Sequence, residues 1–291
     1  MKKNLAVPFG YSKTIYFQMK VVDFFLFSNI FIALGASAQT LLTYQLLQKK
    51  CSISVIIFVF LSTLITYNFY YLNHRPVKLP HSNKLTWLTN NYTLFCAISL
   101  LALVSLPCLF FLLSTSQKTI ISILGLLVWF YYHPFPYCKY SLRTLIGFKI
   151  GVIGFVWTSV ITLLPAMEVV LDQITLKKLS IHYAQQYLFI VAITIPFDYR
   201  DVVYDIKEGI KTFPVIFGKQ VAKVLALCLC SVSVGLYLWK HHHLITILTA
   251  VVLWIITLGV LWNVSEDKDD YYYFGVIDGL LLLQLITIIG R

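Results

Sequence analysis

The chain has 291 residues, of which 59 % are hydrophobic and only 12 % charged, and its mean hydropathy is +0.79. An ordinary soluble domain carries about 25 % charged residues, so this composition excludes a soluble globular protein and defines a polytopic membrane protein, expected to be all-α. The net charge of +11 reads as topological bias and attraction to anionic headgroups; no nucleic-acid-binding motif accompanies it.

Taken in order, apolar runs lie at Val22 to Leu47, Ile53 to Leu72, Leu94 to Leu113, Ile120 to Tyr132, Leu142 to Leu164, His182 to Phe197, Val221 to Trp239, Leu244 to Trp262 and Tyr271 to Ile289. A bilayer crossing needs about 20 residues, so these nine runs predict about nine transmembrane helices around a central cavity, in one domain over 1–291 with residues 1–20 as a cytoplasmic N-terminal segment. Lys2, Lys3, Lys13 and Lys20 precede the first run, and Ala36-Ser37-Ala38 resembles a cleavage site. Leu41 to Leu47 continue the run past that point, so the expectation is a retained first helix and not a cleaved signal.

With the N-terminus inside, only Lys49, Lys50, Lys118, Lys177, Lys178, Lys240 and Arg291 of the 23 lysines and arginines fall outside. The positive-inside rule then gives N-terminus in and C-terminus out, in what is expected to be a bacterial cytoplasmic membrane. The same assignment brings the loop from Asn73 to Asn91 and the segment after Phe197 to one side.

The six cysteines form no CxxC pair and read as small buried hydrophobes. His241 to His243 fall in a short loop on the opposite side from the acidic residues. The chain has no GxxxxGK[ST] loop, GxSxG elbow or HExxH helix, which removes the commonest nucleotide, serine-hydrolase and zinc-protease chemistries.

The segment from Asp198 to Gly218 reads DYRDVVYDIKEGIKTFPVIFG. Steps of three, four and three residues place Asp198, Asp201, Asp205 and Glu208 on one helical stripe. Carboxylates so close repel one another unless a cation faces them. Hard oxygen ligands of this kind suit Mg2+, which is commonly held by one or two carboxylates together with substrate phosphates; Asp201 and Asp205 form the best pair. Arg200, Lys207 and Lys211 are interleaved and could hold phosphate oxygens. Gly209, Thr212, Pro214 and Gly218 predict a shaped turn and a new helix from about Lys219.

This run resembles the second aspartate-rich motif of the UbiA superfamily of intramembrane prenyltransferases, a pattern close to DxRDxxxDxxxGxxTxPxxxG. The resemblance implies about nine helices around a cavity whose cytoplasmic mouth holds two aspartate-rich motifs. It also implies transfer of an isoprenyl group from an isoprenyl diphosphate to an aromatic or other lipid-soluble acceptor. The metal-binding role falls on Asp201 and Asp205, supported by Asp198, with Mg2+ as cofactor. Tyr131 and Tyr132 resemble a tyrosine often found at that place in the family.

The first motif departs from the family. Typical members carry an NDxxDxxxD-like sequence followed by Arg-Pro, whereas this chain has NFYYLNHRP from Asn68 to Pro76. Asn68, Arg75 and Pro76 match, but Phe69 and Leu72 stand where aspartates are expected, and no carboxylate occurs between Asp23 and Glu168. Asn68, Asn73 and His74 are left as neutral ligands and Arg75 as a phosphate fork. Two outcomes follow: prenyl transfer with one Mg2+ on the second motif, aided by Arg75, Arg200 and Lys211 whose positive charge replaces that of the lost metal, or a catalytically degenerate UbiA-like protein that binds a prenyl lipid or a partner without transfer. Asp278, isolated in the last run, is a candidate for the cavity or for pairing with a base.

Overall fold

The structure is a computed structural model that describes residues 13–73, 82–134, 141–145, 147–240 and 243–289, and the described residues form helices and loops without strands. The helices are α1 (Lys13–Phe27), α2 (Ile30–Leu46), α3 (Ile53–Asn73), α4 (Asn83–Asn90), α5 (Tyr92–Leu112), α6 (Thr115–Tyr132), α7 (Phe148–Ala166), α8 (Gln173–Arg200), α9 (Val202–Lys207), α10 (Phe213–Phe217), α11 (Lys219–Lys240) and α12 (Leu244–Trp262). A π-helical stretch, Tyr272–Ile277, then runs into α13 (Asp278–Leu283), and α14 (Ile286–Ile289) follows.

Among the described residues, α3, α5, α7, α12 and the Lys219–Trp239 part of α11 are long and apolar enough to cross a bilayer by themselves. Residues Lys20–Phe27 and Ile30–Leu46 qualify together as a span bent by 62°. The bend falls at Asn29, whose φ is +65°, so the first expected run is a broken helix. The expectation of about nine spans is therefore met only in part. The runs expected at 120–132 and 182–197 belong to longer, more polar helices, and the last run is broken by the π turn. α6 begins with a capping box between Ser114 and Gln117, and α8 begins where the Asp172 carboxylate accepts the Thr175 N–H; such polar first turns dilute an apolar span.

α8 is the central element. Its 28 residues span about 42 Å at 1.5 Å per residue, and it packs against both α7 and α11. Phe189 and Ile193 meet Ile32, Tyr273, Ile277 and Leu281 in one cluster, while Val191, Ala192 and Ile195 meet Ile150, Ala222, Ala226 and Leu261 in another. Gly154 of α7 lies so near α8 that an added Cβ would stand 2.6 Å from Val191 Cγ2. Small residues let helix backbones approach in the absence of a hydrophobic driving force. α5 lies at the other extreme: Leu100, Leu101, Leu103, Val104, Phe111 and Leu112 are all exposed, as a lipid-facing helix requires. Burying α8 places its last turn, and Asp198 with it, inside the protein at one end of the bundle.

Candidate functional site

The acidic segment breaks its own helix. α8 ends at Arg200, Asp201 takes φ −88° and ψ 6°, and α9 starts at Val202. The expected single stripe is consequently split. Asp198 and Asp205 are seven residues apart and face the same way, and both are almost completely buried, at 2 % and 1 % exposure. Asp201, at the break, turns aside. Its carboxylate accepts two hydrogen bonds from the Arg200 guanidinium, at 2.8 and 3.3 Å, and its side chain is 35 % exposed. The pair that converges is thus Asp198 with Asp205, not Asp201 with Asp205 as the spacing suggested.

Lys149, in the first turn of α7, stands between them. Its ammonium is 2.8 Å from Asp198 Oδ1 and 3.2 and 3.3 Å from the two oxygens of Asp205. Gly147, at φ +72°, turns the chain just before α7, and the tight α7–α8 approach at Gly154 holds the lysine against the acids. Burial pushes the Asp205 carboxyl above the usual carboxylate range, against the opposing pull of Lys149. After α9, Gly209 adopts φ +69° and the Ile210 N–H returns to the Asp205 carbonyl at 2.8 Å. Gly218 at φ +86° ends the turn before α11 begins at Lys219, as the sequence predicts.

These partners decide how a magnesium ion fits. Mg2+ needs oxygen ligands at about 2.0–2.1 Å in octahedral array, but an ammonium fills the place between Asp198 and Asp205, and a guanidinium covers Asp201. Among the described residues, no three His, Cys, Asp or Glu side chains converge as a ligand group. In this arrangement the donor set does not fit the expected ion, because lysine and arginine already supply the positive charge that the carboxylates need.

Beside this centre lies a cavity of about 440 Å³, bounded by Phe69 and Asn73 of α3, Tyr132 of α6, Arg143, and Tyr204 and Glu208 around α9. Arg143 belongs to a short 3₁₀ turn, Leu142–Thr144, and its buried Nε has no hydrogen-bond partner. Phe69, at a position where the family has aspartate, packs its ring on Tyr132 and His133 with centroids 5.7 and 6.1 Å away. The Tyr70 hydroxyl lies 3.2 Å from that of Tyr204, linking α3 to α9. A guanidinium beside an aromatic wall suits an anionic head joined to an apolar chain.

The other expected residues are dispersed. Asn68 is fully buried and committed: its Oδ1 accepts from Asn29 at 2.7 Å and its Nδ2 donates to Ser99 at 2.9 Å. Asn29 in turn accepts from the Lys84 ammonium at 2.8 Å. Asn68 therefore braces α2, α3, α4 and α5 and does not reach into the cavity, because the surrounding polar groups use both ends of its amide. Tyr131 is buried while its neighbour Tyr132 lines the cavity. Arg200 is held by Asp201 and by Asp270, and its guanidinium lies 5.0 and 5.1 Å from the ring centroids of Tyr273 and Phe274. Lys211 is exposed, and His74 and Arg75 lie outside the described residues.

Lys149 and Arg143 are the residues that sequence reasoning missed. Lys149 had a signal: a lone base at the start of an apolar helix requires a carboxylate partner, and the acids at 198–205 are one of two dense supplies, the other being Glu266 to Asp270. Arg143 had none beyond being a base at the start of the apolar run from Leu142 to Leu164.

The fold and the charged mouth together define an α-helical integral membrane protein that holds a buried acid–base centre at one end of its bundle. A sequence model of the UbiA prenyltransferase family matches residues 85–274, and the chain belongs to that family. The match includes Asp198 to Gly218 and begins after the altered first motif. Two solved structures share the fold. One is described in terms of digeranylgeranylglyceryl phosphate synthase in membranes, at 17 % identity and TM-score 0.53, covering 94 % of this chain and 97 % of that one. The other is the apo form of a UbiA homologue from Aeropyrum pernix K1, at 13 % identity and TM-score 0.58, covering 92 % and 98 %. Among curated proteins no match is found.

Proposed function

We propose that this chain is a membrane prenyltransferase that takes an isoprenyl diphosphate at the mouth between α3, α6 and α9 and transfers the isoprenyl group to an aromatic or other lipid-soluble acceptor. The setting is a bacterial cytoplasmic membrane, with the N-terminus and the mouth inside and the C-terminus outside. The observation that carries this reading is the cavity itself, which Arg143 lines together with the aromatic rings of Phe69 and Tyr132, beside the Asp198–Lys149–Asp205 centre.

Arg143 binds the diphosphate in a fork, and that contact strengthens as the allylic carbon–oxygen bond breaks and its electron pair passes to the leaving diphosphate. Phe69 and Tyr132 present π faces to the allylic cation. The acceptor supplies the electron pair for the new bond and gives up a proton. Family members generally use Mg2+, whereas in this chain Lys149 holds the two buried carboxylates. The apolar exterior lets the donor's chain and the acceptor enter from lipid.

The test is diphosphate release from a panel of allylic isoprenyl diphosphates by membranes carrying the protein. Turnover is expected in the wild type, and Arg143→Ala lowers it by about 10²-fold, the usual loss of a charge-stabilising donor. A prenyl-binding protein without transfer would release no diphosphate from any donor, and that result refutes the reading.

A further inference from the structure

We infer that Lys149 is the resident cation of the acidic centre, its ammonium occupying the place between Asp198 and Asp205 where a divalent ion would otherwise be held. Only the identity of the anion bound nearby rests on the prenyl-transfer reading.

Asp198 and Asp205 are 2 % and 1 % exposed, and two carboxylates facing each other out of water cannot both stay ionised without a cation between them. Lys149 satisfies that need with one ammonium hydrogen-bonded to both acids at 2.8 to 3.3 Å. It is built into the first turn of α7, so its effective concentration at the site is set by the fold and does not depend on the surrounding solution. A divalent ion would have to expel the ammonium, which is 14 % exposed, and leave it poorly solvated. The third aspartate offers no alternative, since Asp201 is chelated by Arg200. At the first motif Phe69 and Leu72 supply no carboxylate, and the buried ammonium of Lys84 is joined to Asn68 through Asn29. A lysine thus stands at the second motif and another behind the first. Charge that elsewhere would come from an ion between the two acids is built into the chain, and the anion beside it is met by Arg143.

The probe is Mn2+ alone, titrated into detergent-purified, EDTA-stripped protein and followed by loss of the free-ion paramagnetic resonance signal. Wild-type protein is expected to show no saturable uptake. Lys149→Gln should bind Mn2+ at least about tenfold more tightly than wild type, and adding Asp198→Asn should abolish that gain. Saturable uptake by the wild type that Asp205→Asn removes overturns the inference, as does a folded Lys149→Gln variant with no gain. The wild-type titration decides even if the variants do not fold. Because no prenyl substrate is present, the result stands apart from catalysis. A chain without turnover would refute the proposed function and leave the metal titration intact, whereas wild-type turnover abolished by EDTA would overturn the role given to Lys149.

Discussion

Lys84 is 4 % exposed, an extreme position for a side chain that ordinarily keeps its charge in water. It is held there because the α4 N-terminus is anchored: the Asp270 carboxylate accepts the Lys84 N–H and the Ser82 hydroxyl, both at 2.9 Å. Its ammonium bonds Asn29 and lies 3.9 Å from the centroid of Phe274. Burial, with Arg200 adding repulsion, pushes the Lys84 pKa down to about 7. A lysine with a lower pKa in the folded than in the unfolded chain holds fewer protons when folded. Stability from this group therefore rises with pH above about 7, until the unfolded lysine loses its own proton near its ordinary 10.5. Between pH 7 and 9 the gain is at most about 2.7 kcal/mol, at about 1.36 kcal/mol per pH unit. Thermal unfolding in detergent should show the midpoint rising over that range in the wild type, with a flatter profile in Lys84→Met. Equal slopes in the two proteins would remove Lys84 as the cause. Sequence reasoning singled out Asn68 but not Lys84, because nothing in the spacing of an eight-residue polar helix says that its second residue points into the bundle.

Among the elements, the α7–α8 contact and the α8–α9 break do most to build the acidic centre, and three glycines separate their contributions. An added methyl at Gly154 collides with Val191 at 2.6 Å, so Gly154→Ala should cost about 1–3 kcal/mol as overpacking and draw Lys149 off its acids. Gly209 has open space around it but φ +69°, so Gly209→Ala should cost only about 1 kcal/mol of backbone strain. Gly235, inside α11 with nothing within 4 Å, should gain about 0.5–1 kcal/mol as alanine. Unfolding midpoints should therefore fall in the order Gly235→Ala, wild type, Gly209→Ala, Gly154→Ala, and a Gly154→Ala protein as stable as wild type would deny the close approach. The turn at Gly209 and Gly218 and the start of α11 were legible, since glycine and proline punctuate the backbone locally. The break at Asp201 was not. Three aspartates at helical spacing predict one stripe, and the partners they take in the fold, the neighbouring Arg200 for Asp201 and the distant Lys149 for the other two, favour an interrupted helix over a continuous one.

Across the whole molecule, the apolar runs made the membrane class and the helices legible, while the number of spans was not, because α6 and α8 mix polar residues with apolar ones and their fate depends on packing. The topology is nonetheless testable from the ends of α3. Cys51 is exposed just before α3 begins, near Lys49, which pairs with Glu168. Asn73 closes α3 at the cavity beside Glu208. A helix of 21 residues separates the two by about 30 Å, the thickness of a hydrocarbon core. The bias of lysine and arginine predicts the Glu208 end to be inside. A membrane-impermeant thiol reagent should then label Cys51 in right-side-out vesicles. A Glu208→Cys protein with Cys51 replaced by serine should react only in inverted ones. Labelling of both sites from one side would contradict the span assigned to α3, and a clean reversal would keep the span but turn the mouth to the exterior. That reversal would place the proposed diphosphate site on the exterior, so the outcome constrains the proposed function as directly as it constrains the topology.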